Sequence, residues 1–190
     1  MQHLLANLPI PELSPDSMDF IAAHIQMRRL KSNSILLEQG KVCDSAYFVL
    51  EGGFVCRYVD PELDIGKTIN FYLNDIHPFM ACVDSYFTQT PSQCELRAIS
   101  DAAVLQIRKK DLDILLQTDS RLYAFYQELV VTALREENDL KLKIIAYPSE
   151  QLYRYFMAHF PSVIQRVPSK YIAELMGISP EWLSKLKRPK

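Results

Sequence analysis

Residues Val167–Lys190 read VPSKYIAELMGISPEWLSKLKRPK, and this stretch decides how the rest of the chain is read. Ile172, Leu175 and Met176 fall on one face at helical spacing. Pro168 can open that helix, because the first helical position has no amide bond to lose. Val167 before it offers no capping oxygen. Ala173 is small where a second helix has to cross closely. Gly177 can take the positive φ that ends a helix and turns the chain. Ser179 is then a good N-cap, with Pro180 at the first helical position and Glu181 in the positive end of the helix dipole. Leu183 and Leu186 point the second helix back onto the first, which leaves Ser184, Lys185, Lys187 and Arg188 for the other side. Any antiparallel helix pair needs a glycine turn and an apolar seam. The basic second helix tips the reading towards a helix-turn-helix that lays its second helix in the DNA major groove.

Charge supports that reading through its distribution. The net charge is −2. Residues 1–140 carry 12 Lys+Arg against 20 Asp+Glu, whereas residues 141–190 carry 9 against 3. A basic end on an acidic body is how a separate phosphate-binding module would look. The 190 residues suit one large or two small domains. No apolar run approaches the ~18 residues of a membrane span. The N-terminus MQHLLANLPIPELSPDS lacks the pattern of a signal peptide, so the expected location is the cytoplasm, with no membrane partner.

Upstream, Met18, Ile21, Ala22 and Ile25 recur at helical intervals, and Ser14-Pro15 or Ser17 can start that helix. From about residue 26 to 108 the texture is different. Met27–Leu30, Ile35–Glu38, Ala46–Leu50, Phe54–Val59, Thr68–Leu73 and Val104–Ile107 are short, β-branched or aromatic, and separated by turn residues. That spacing predicts a β-roll or jelly-roll. Gly52-Gly53 between two apolar runs predicts a hairpin. Lys110–Gln117 reads as a short helix. Asp119 or Ser120 can cap a much longer one reaching about Ala146, with Leu122, Tyr126, Leu129, Ala133 and Leu140 on its apolar stripe. A helix of ~25 residues spans ~37 Å, more than the width of a small β-domain. Either it straps one domain alone or its far half packs on a second copy of itself. The chain is therefore α+β: residues 1–118 a β-roll with flanking short helices, 119–146 a dimerisation helix, and 147–190 the helix-turn-helix region. Gln151–Phe160 forms a further helix, and Pro161-Ser162 breaks the chain again.

The four cysteines, Cys43, Cys56, Cys82 and Cys94, include no C-x-x-C pair, so metal-ligand spacing is absent. Three of them lie in apolar or mixed strand-like contexts and read as buried, reduced thiols, and the spacing argues against iron–sulfur ligands. The histidines His3, His24, His77 and His159 are too scattered for a facial metal site. No Ser/His/Asp order and no phosphate-cradling glycine loop appears, and the expectation is a protein that is not an enzyme.

This order of elements resembles the Crp/Fnr family of bacterial transcription regulators. The stretches that carry the resemblance are Ile35-Leu-Leu-Glu-Gln-Gly-Lys, Asp44-Ser-Ala-Tyr-Phe-Val-Leu-Glu-Gly-Gly, Ser85-Tyr-Phe-Thr-Gln-Thr-Pro-Ser, Arg97-Ala-Ile-Ser-Asp-Ala-Ala-Val-Leu-Gln-Ile and the terminal helix pair. The resemblance implies a homodimer reading a pseudo-palindromic site in double-stranded DNA, with RNA polymerase as a further partner. Base contacts would come from Ser179, Glu181, Ser184 and Lys185, and phosphate contacts from Lys170, Lys187 and Arg188. Trp182 either faces the groove or packs at the domain seam.

Departures from the family pattern bear on the effector. Cyclic-nucleotide members hold the ribose with Gly-Glu and the phosphate with Arg. Here those positions fall near Met80-Ala-Cys-Val-Asp and Pro91-Ser-Gln-Cys-Glu. Met80, Cys82, Asp84, Gln93, Glu95 and Arg97 are the candidate pocket, with Arg97 as a displaced cation or as a partner of Glu95. The expected effector is a small molecule other than cyclic AMP, with no cofactor assigned. No cysteine precedes Cys43, which excludes the iron–sulfur branch, and His77 beside Pro78 reads as a turn or core residue rather than a haem ligand. The β-hairpin wing that commonly follows the reading helix is almost missing. The alternative is a ligand-binding or protein-interaction module that has lost specific DNA binding.

Overall fold

The protein is described here from a computed structural model, covering residues 10–60, 62–63 and 65–187. A short helix, α1 (Pro15–His24), leads into eight strands: β1 (Gln26–Leu30), β2 (Ile35–Leu37), β3 (Ser45–Glu51), β4 (Gly53–Asp60), β5 (Ile65–Leu73), β6 (Phe79–Met80), β7 (Cys94–Ala98) and β8 (Ala102–Arg108). A one-turn-and-a-half helix, α2 (Val83–Thr88), sits between β6 and β7. Five helices follow: α3 (Lys109–Thr118), α4 (Ser120–Ala146), α5 (Ser149–His159), α6 (Pro161–Arg166) and α7 (Ser169–Met176), and then α8 (Pro180–Leu186).

The strands form two four-stranded antiparallel sheets, ordered β1-β8-β3-β6 and β2-β7-β4-β5. Between them lies a core of apolar, tyrosine and cysteine side chains, including Leu36, Tyr47, Phe54, Tyr72, Met80, Leu96 and Val104. The expected hairpin at Gly52-Gly53 does not form. β3 and β4 belong to opposite sheets, and the chain crosses between them at Gly52, whose φ of 73° supplies the bend. Close sequence neighbours therefore face each other across the core instead of along a ladder. The sequential hairpin is β4–β5, from Gly53↔Leu73 to Asp60↔Ile65.

Strand β3 alternates buried and half-buried residues, as a strand with one covered face should. In β4 the run Gly53-Phe-Val-Cys56 is buried throughout. Phe54 and Cys56 enter the roll core, and Val55 points out of the roll. The outer face is covered by the C-terminal helices. Val55, Phe71, Leu73 and Ile99 share one apolar cluster with Leu152, Phe156, Val163, Tyr171, Ile172 and Leu183. The basic end is thus fused to the roll through a common core, not set apart as a module of its own.

Helix α1 is capped by Ser14, whose Oγ accepts from the Ser17 amide at 3.1 Å, with Pro15 at the first helical position. The Ser17 hydroxyl donates to Asp119 Oδ2 at 2.7 Å. Asp119 in turn caps α4, accepting from the amides of Arg121 and Leu122 at 3.1 Å. These bonds hold the Asp119 carboxyl below its usual pKa, the Ser17 hydroxyl contributing most. The entry of the chain is therefore tied to the start of its longest helix. At 27 residues, α4 extends ~40 Å.

Candidate nucleic-acid interface

The C-terminal pair is built as its sequence requires. Helix α7 starts at Ser169, one residue later than expected, with Pro168 at the N-cap. It ends in a Schellman turn: Gly177 has φ 65°, its amide donates to Glu174 O at 3.3 Å, and the Ile178 amide donates to Ala173 O at 3.1 Å. Ser179 then caps α8, its Oγ accepting from the Trp182 amide at 3.1 Å, with Pro180 in the first turn. Leu183 is fully buried between the helices, and Tyr171, Ile172 and Ala173 turn α7 into the sheet. The first helix is a scaffold and the second is left open on one side.

Of the expected base-reading residues, Ser179, Glu181, Ser184 and Lys185 are all exposed. The Glu181 carboxyl is held below its usual pKa by the amide at the helix start and by Ser179, so it stands as an ionised acceptor. Trp182 is 43 % exposed but tethered: its Nε1 donates to Ser149 Oγ at 2.9 Å, at the start of α5. Its indole reaches back to the domain seam, which decides the question left open by the sequence. Lys185 Nζ lies 5.8 Å from the indole centroid. Lys170 and Lys187 are exposed at the ends of the pair. Lys170 lies 4.5 Å over the Tyr171 ring, and Lys187 Nζ donates to Ser169 Oγ at 2.7 Å. Arg188 lies outside the described residues.

A polar network lies beneath α7, and of it only the Arg97–Glu95 pair is legible in the sequence. Glu174, on the sheet-facing side of α7, receives Arg57 Nε and Nη2 at 3.0 and 2.8 Å and the Thr68 hydroxyl at 2.7 Å. Arg57 Nη1 approaches Glu95 Oε1 at 3.4 Å, and Glu95 takes a two-pronged pair from Arg97 at 2.7 and 2.9 Å. Arg57 also lies 5.2 Å over the Tyr171 ring. At the lower edge Arg166 donates to Gly52 O at 2.7 Å and to Asp75 Oδ1 at 2.9 Å.

This network corrects the expected effector pocket. Cys94, Leu96 and Ala98 point into the roll, so Glu95 and Arg97 on alternate positions of β7 point out of it, towards α7. Gln93 and Asp84 are exposed on the surface. Met80 and Cys82 alone among the six enter the roll core. The six residues therefore do not line one cavity. His77 is a turn residue with φ 50°, and its Nδ1 lies 3.3 Å from Glu136 of α4.

The apolar surface of α4 is also redistributed. Leu122 is buried against α1 and α3, and Leu140 packs into the C-terminal core. Tyr126, Leu129 and Ala133 line an apolar cleft of about 230 Å³ between α4 and the outer face of the β1-β8-β3-β6 sheet. The stripe left bare is a different one. Val131, Leu134, Leu142 and Ile145 are 54, 60, 57 and 73 % exposed. With Asn138 they recur at intervals of three and four residues along one side. The helix carries apolar residues on most of its faces, so periodicity alone could not separate the face used within the chain from the face left free.

No protein-family model matches the chain, and no curated protein matches it in sequence. Solved structures do share its fold. FixK2 from Bradyrhizobium japonicum superposes with a TM-score of 0.72 at 12 % identity, covering 85 % of this chain and 82 % of that one. CLP from Xanthomonas campestris, described as a c-di-GMP responsive global regulator, gives 0.68 at 15 % identity over 91 % and 89 %. A Crp/Fnr-family regulator from Eubacterium rectale gives 0.69 at 13 % identity over 92 % and 82 %. The α+β fold of the Crp/Fnr regulators, a roll followed by a long helix and a helix-turn-helix, is the fold of this chain.

Proposed function

We propose that the chain is a DNA-binding transcription regulator of Crp/Fnr type, working as a homodimer in the cytoplasm. The observation that carries this reading is the helix pair. Tyr171, Ile172 and Ala173 anchor the first helix, while Glu181, Ser184 and Lys185 are exposed on the second. Glu181 would accept from a cytosine amine, and Lys185 would meet a guanine edge or a phosphate. Lys170 and Lys187 would orient the protein on the backbone. The bare stripe Val131–Leu134–Leu142–Ile145 gives two copies a coiled-coil-like seam, with Asn138 as a register-setting polar residue at its middle. Two reading helices related by that seam would meet half-sites about one turn of B-DNA apart. RNA polymerase is the further partner this reading implies.

Among the described residues no Lys or Arg is buried, so a cyclic phosphate in the roll would lack the buried cation that the cyclic-AMP members provide. Control by a different small molecule fits the site better.

Selection from a pool of random duplexes tests the proposal. Enrichment of an inverted repeat is expected at moderate salt. Recovery of no sequence preference would sink it, and negligible retention even on non-specific DNA would favour a ligand-binding or protein-interaction module instead.

A further inference from the structure

The cleft beneath α4 lies on the outer face of the β1-β8-β3-β6 sheet and holds about 230 Å³. An apolar cavity of roughly 150 Å³ already takes up benzene. Phe48, Leu105 and Ile107 of the sheet form its floor, and its wall on α4 runs from Leu122 to Ala133. Those residues span three turns of helix, about 16 Å. Spread over that length, the volume leaves room for a single chain in cross-section. Val83 and Phe87 of α2 and Val130 of α4 are exposed at the rim, so the cleft opens to solvent between these two helices.

The lining also limits the chemistry of what can enter. Among the described residues no charged side chain, histidine or cysteine lines the cleft, and its polar side chains are three tyrosines, Tyr47, Tyr86 and Tyr126. Tyr86 is buried, yet its hydroxyl has no hydrogen-bond partner among the described residues. A buried donor left without an acceptor is rare and destabilising, and it calls for a partner that the chain does not supply. Lys109, whose Nζ lies 5.4 Å from the Tyr86 ring centroid, is engaged by Asp113 at 2.7 Å. An ionised head group would find no free cation here, and burying an unpaired carboxylate is strongly unfavourable. An apolar wall with one convergent donor suits an uncharged molecule that carries a chain and one acceptor.

We propose that this cleft binds an uncharged medium-chain acyl ester or lactone, its chain lying along α4 and its carbonyl oxygen accepting from the Tyr86 hydroxyl. Resting on the regulator reading above, this names the effector class. Tyr126, Leu129 and Ala133 on the cleft wall run beside Val131 and Leu134 of the bare stripe on the same helix. A chain filling the cleft presses on one face of α4 and so bears on the seam carried by the next.

The test titrates the full-length protein with methyl hexanoate, octanoate, decanoate and dodecanoate by isothermal titration calorimetry. Affinity is expected to rise about fourfold for each added methylene until the cleft is full, and then to level off. Sodium decanoate should bind about tenfold more weakly than its methyl ester, or worse. Tyr86→Phe should lower the affinity for every ester by about fivefold and leave the increment per methylene unchanged, a pattern that general damage to the site would not give. Ala133→Phe, at an exposed rim position, should block the cleft while the circular dichroism stays as it was. An affinity indifferent to chain length, or an acid that binds as tightly as its ester, would overturn the proposal. So would binding seen only in Leu134→Arg, which would give the cleft to a second copy, or only after deletion of residues 1–9, which would give it to the chain's own start. The wild-type series decides even where a variant folds poorly. DNA retention with and without methyl decanoate is a separate readout. Chain-length-dependent binding by a protein that retains no DNA supports the site and sinks the regulator reading. A change of ~5-fold or more in DNA affinity supports both, and an unchanged affinity with the ester bound overturns its role as effector.

Discussion

Arg57 on β4 and Glu174 on α7 form a two-pronged ion pair across the boundary between the roll and the C-terminal helices, at 2.8 and 3.0 Å. Both side chains are mostly buried, at 16 and 20 % exposure. Removing Glu174 strands Arg57 against Glu95 alone, at 3.4 Å. Glu174→Ala is expected to cost about 2–4 kcal/mol in urea unfolding, towards the lower end of the range for broken buried pairs because Glu95 remains. A double-mutant cycle with Arg57→Ala should return a coupling of about 1–3 kcal/mol. Strict additivity would show that the pair contributes nothing.

The two groups of basic and acidic residues on the helix pair should separate by assay. Glu181→Ala and Lys185→Ala are expected to relax base preference, by about 1–3 kcal/mol at the position each reads. Lys170→Ala and Lys187→Ala should weaken binding evenly across sequences and each lower the salt slope by about 1. Fluorescence anisotropy against a selected site and its single-base variants, at several salt concentrations, distinguishes these patterns. The reverse pattern would mean that the reading face is misassigned.

Much of this arrangement is legible in the chain, and the failures have physical causes. The glycine turn at Gly177 and the cap at Ser179 are local chemistry, and the structure has both where the sequence puts them. Strands β6 and β7 and helices α2 and α6 escaped notice. The two-residue β6 and the six-residue helices are too short to show a period, and β7 mixes Cys, Glu and Arg because each of its faces packs on something different. The docking of α7 does leave a mark in the sequence. An uninterrupted apolar run such as Phe54-Val-Cys56 marks a strand covered on both faces. Assigning Glu95 and Arg97 to the pocket failed because a one-residue change in the register of β7 exchanges its inside and outside.

The bare stripe on α4 predicts how the protein associates. Leu134→Arg and Ile145→Asp should yield monomers with unchanged far-ultraviolet circular dichroism, measured by light scattering with size-exclusion chromatography. Leu122→Asp should unfold the protein instead, since that residue is buried between α1, α3 and α4. A Leu134→Arg protein that remains dimeric would place the seam elsewhere.

Tyr86 is 3 % exposed and its hydroxyl has no hydrogen-bond partner among the described residues. Burial pushes its phenol well above the usual range. Replacing an orphaned buried hydroxyl with hydrogen removes a desolvation cost. Tyr86→Phe should therefore raise stability by about 1 kcal/mol, or ~2–4 °C of melting temperature at this size. A clear loss of stability would show that the hydroxyl is paired in solution.

His77 links acidity to folding. Burial lowers its pKa below 6.5, partly opposed by Glu136. A base that resists protonation when folded makes the unfolded chain the better proton acceptor. Its contribution to stability is complete above pH ~7 and is lost as the pH falls through 6.5 towards the folded value. His77→Asn tolerates the positive φ of 50°. Its stability should fall less steeply than that of the wild type between pH 7 and 5.5. Parallel slopes for the two proteins would assign the pH dependence to other groups.

Because Val55, Phe71 and Leu73 of the sheet complete the same apolar cluster as Leu152, Phe156 and Leu183, the reading helix has no hinge of its own. Severed from the roll, the last forty or so residues would expose that cluster and collapse or clump. In the proposed homodimer, a message arriving in the roll would then travel as a turn of each whole subunit against its twin. The quantity under control would be the angle between two stiff bodies, and with it the spacing of the marks they measure on the duplex.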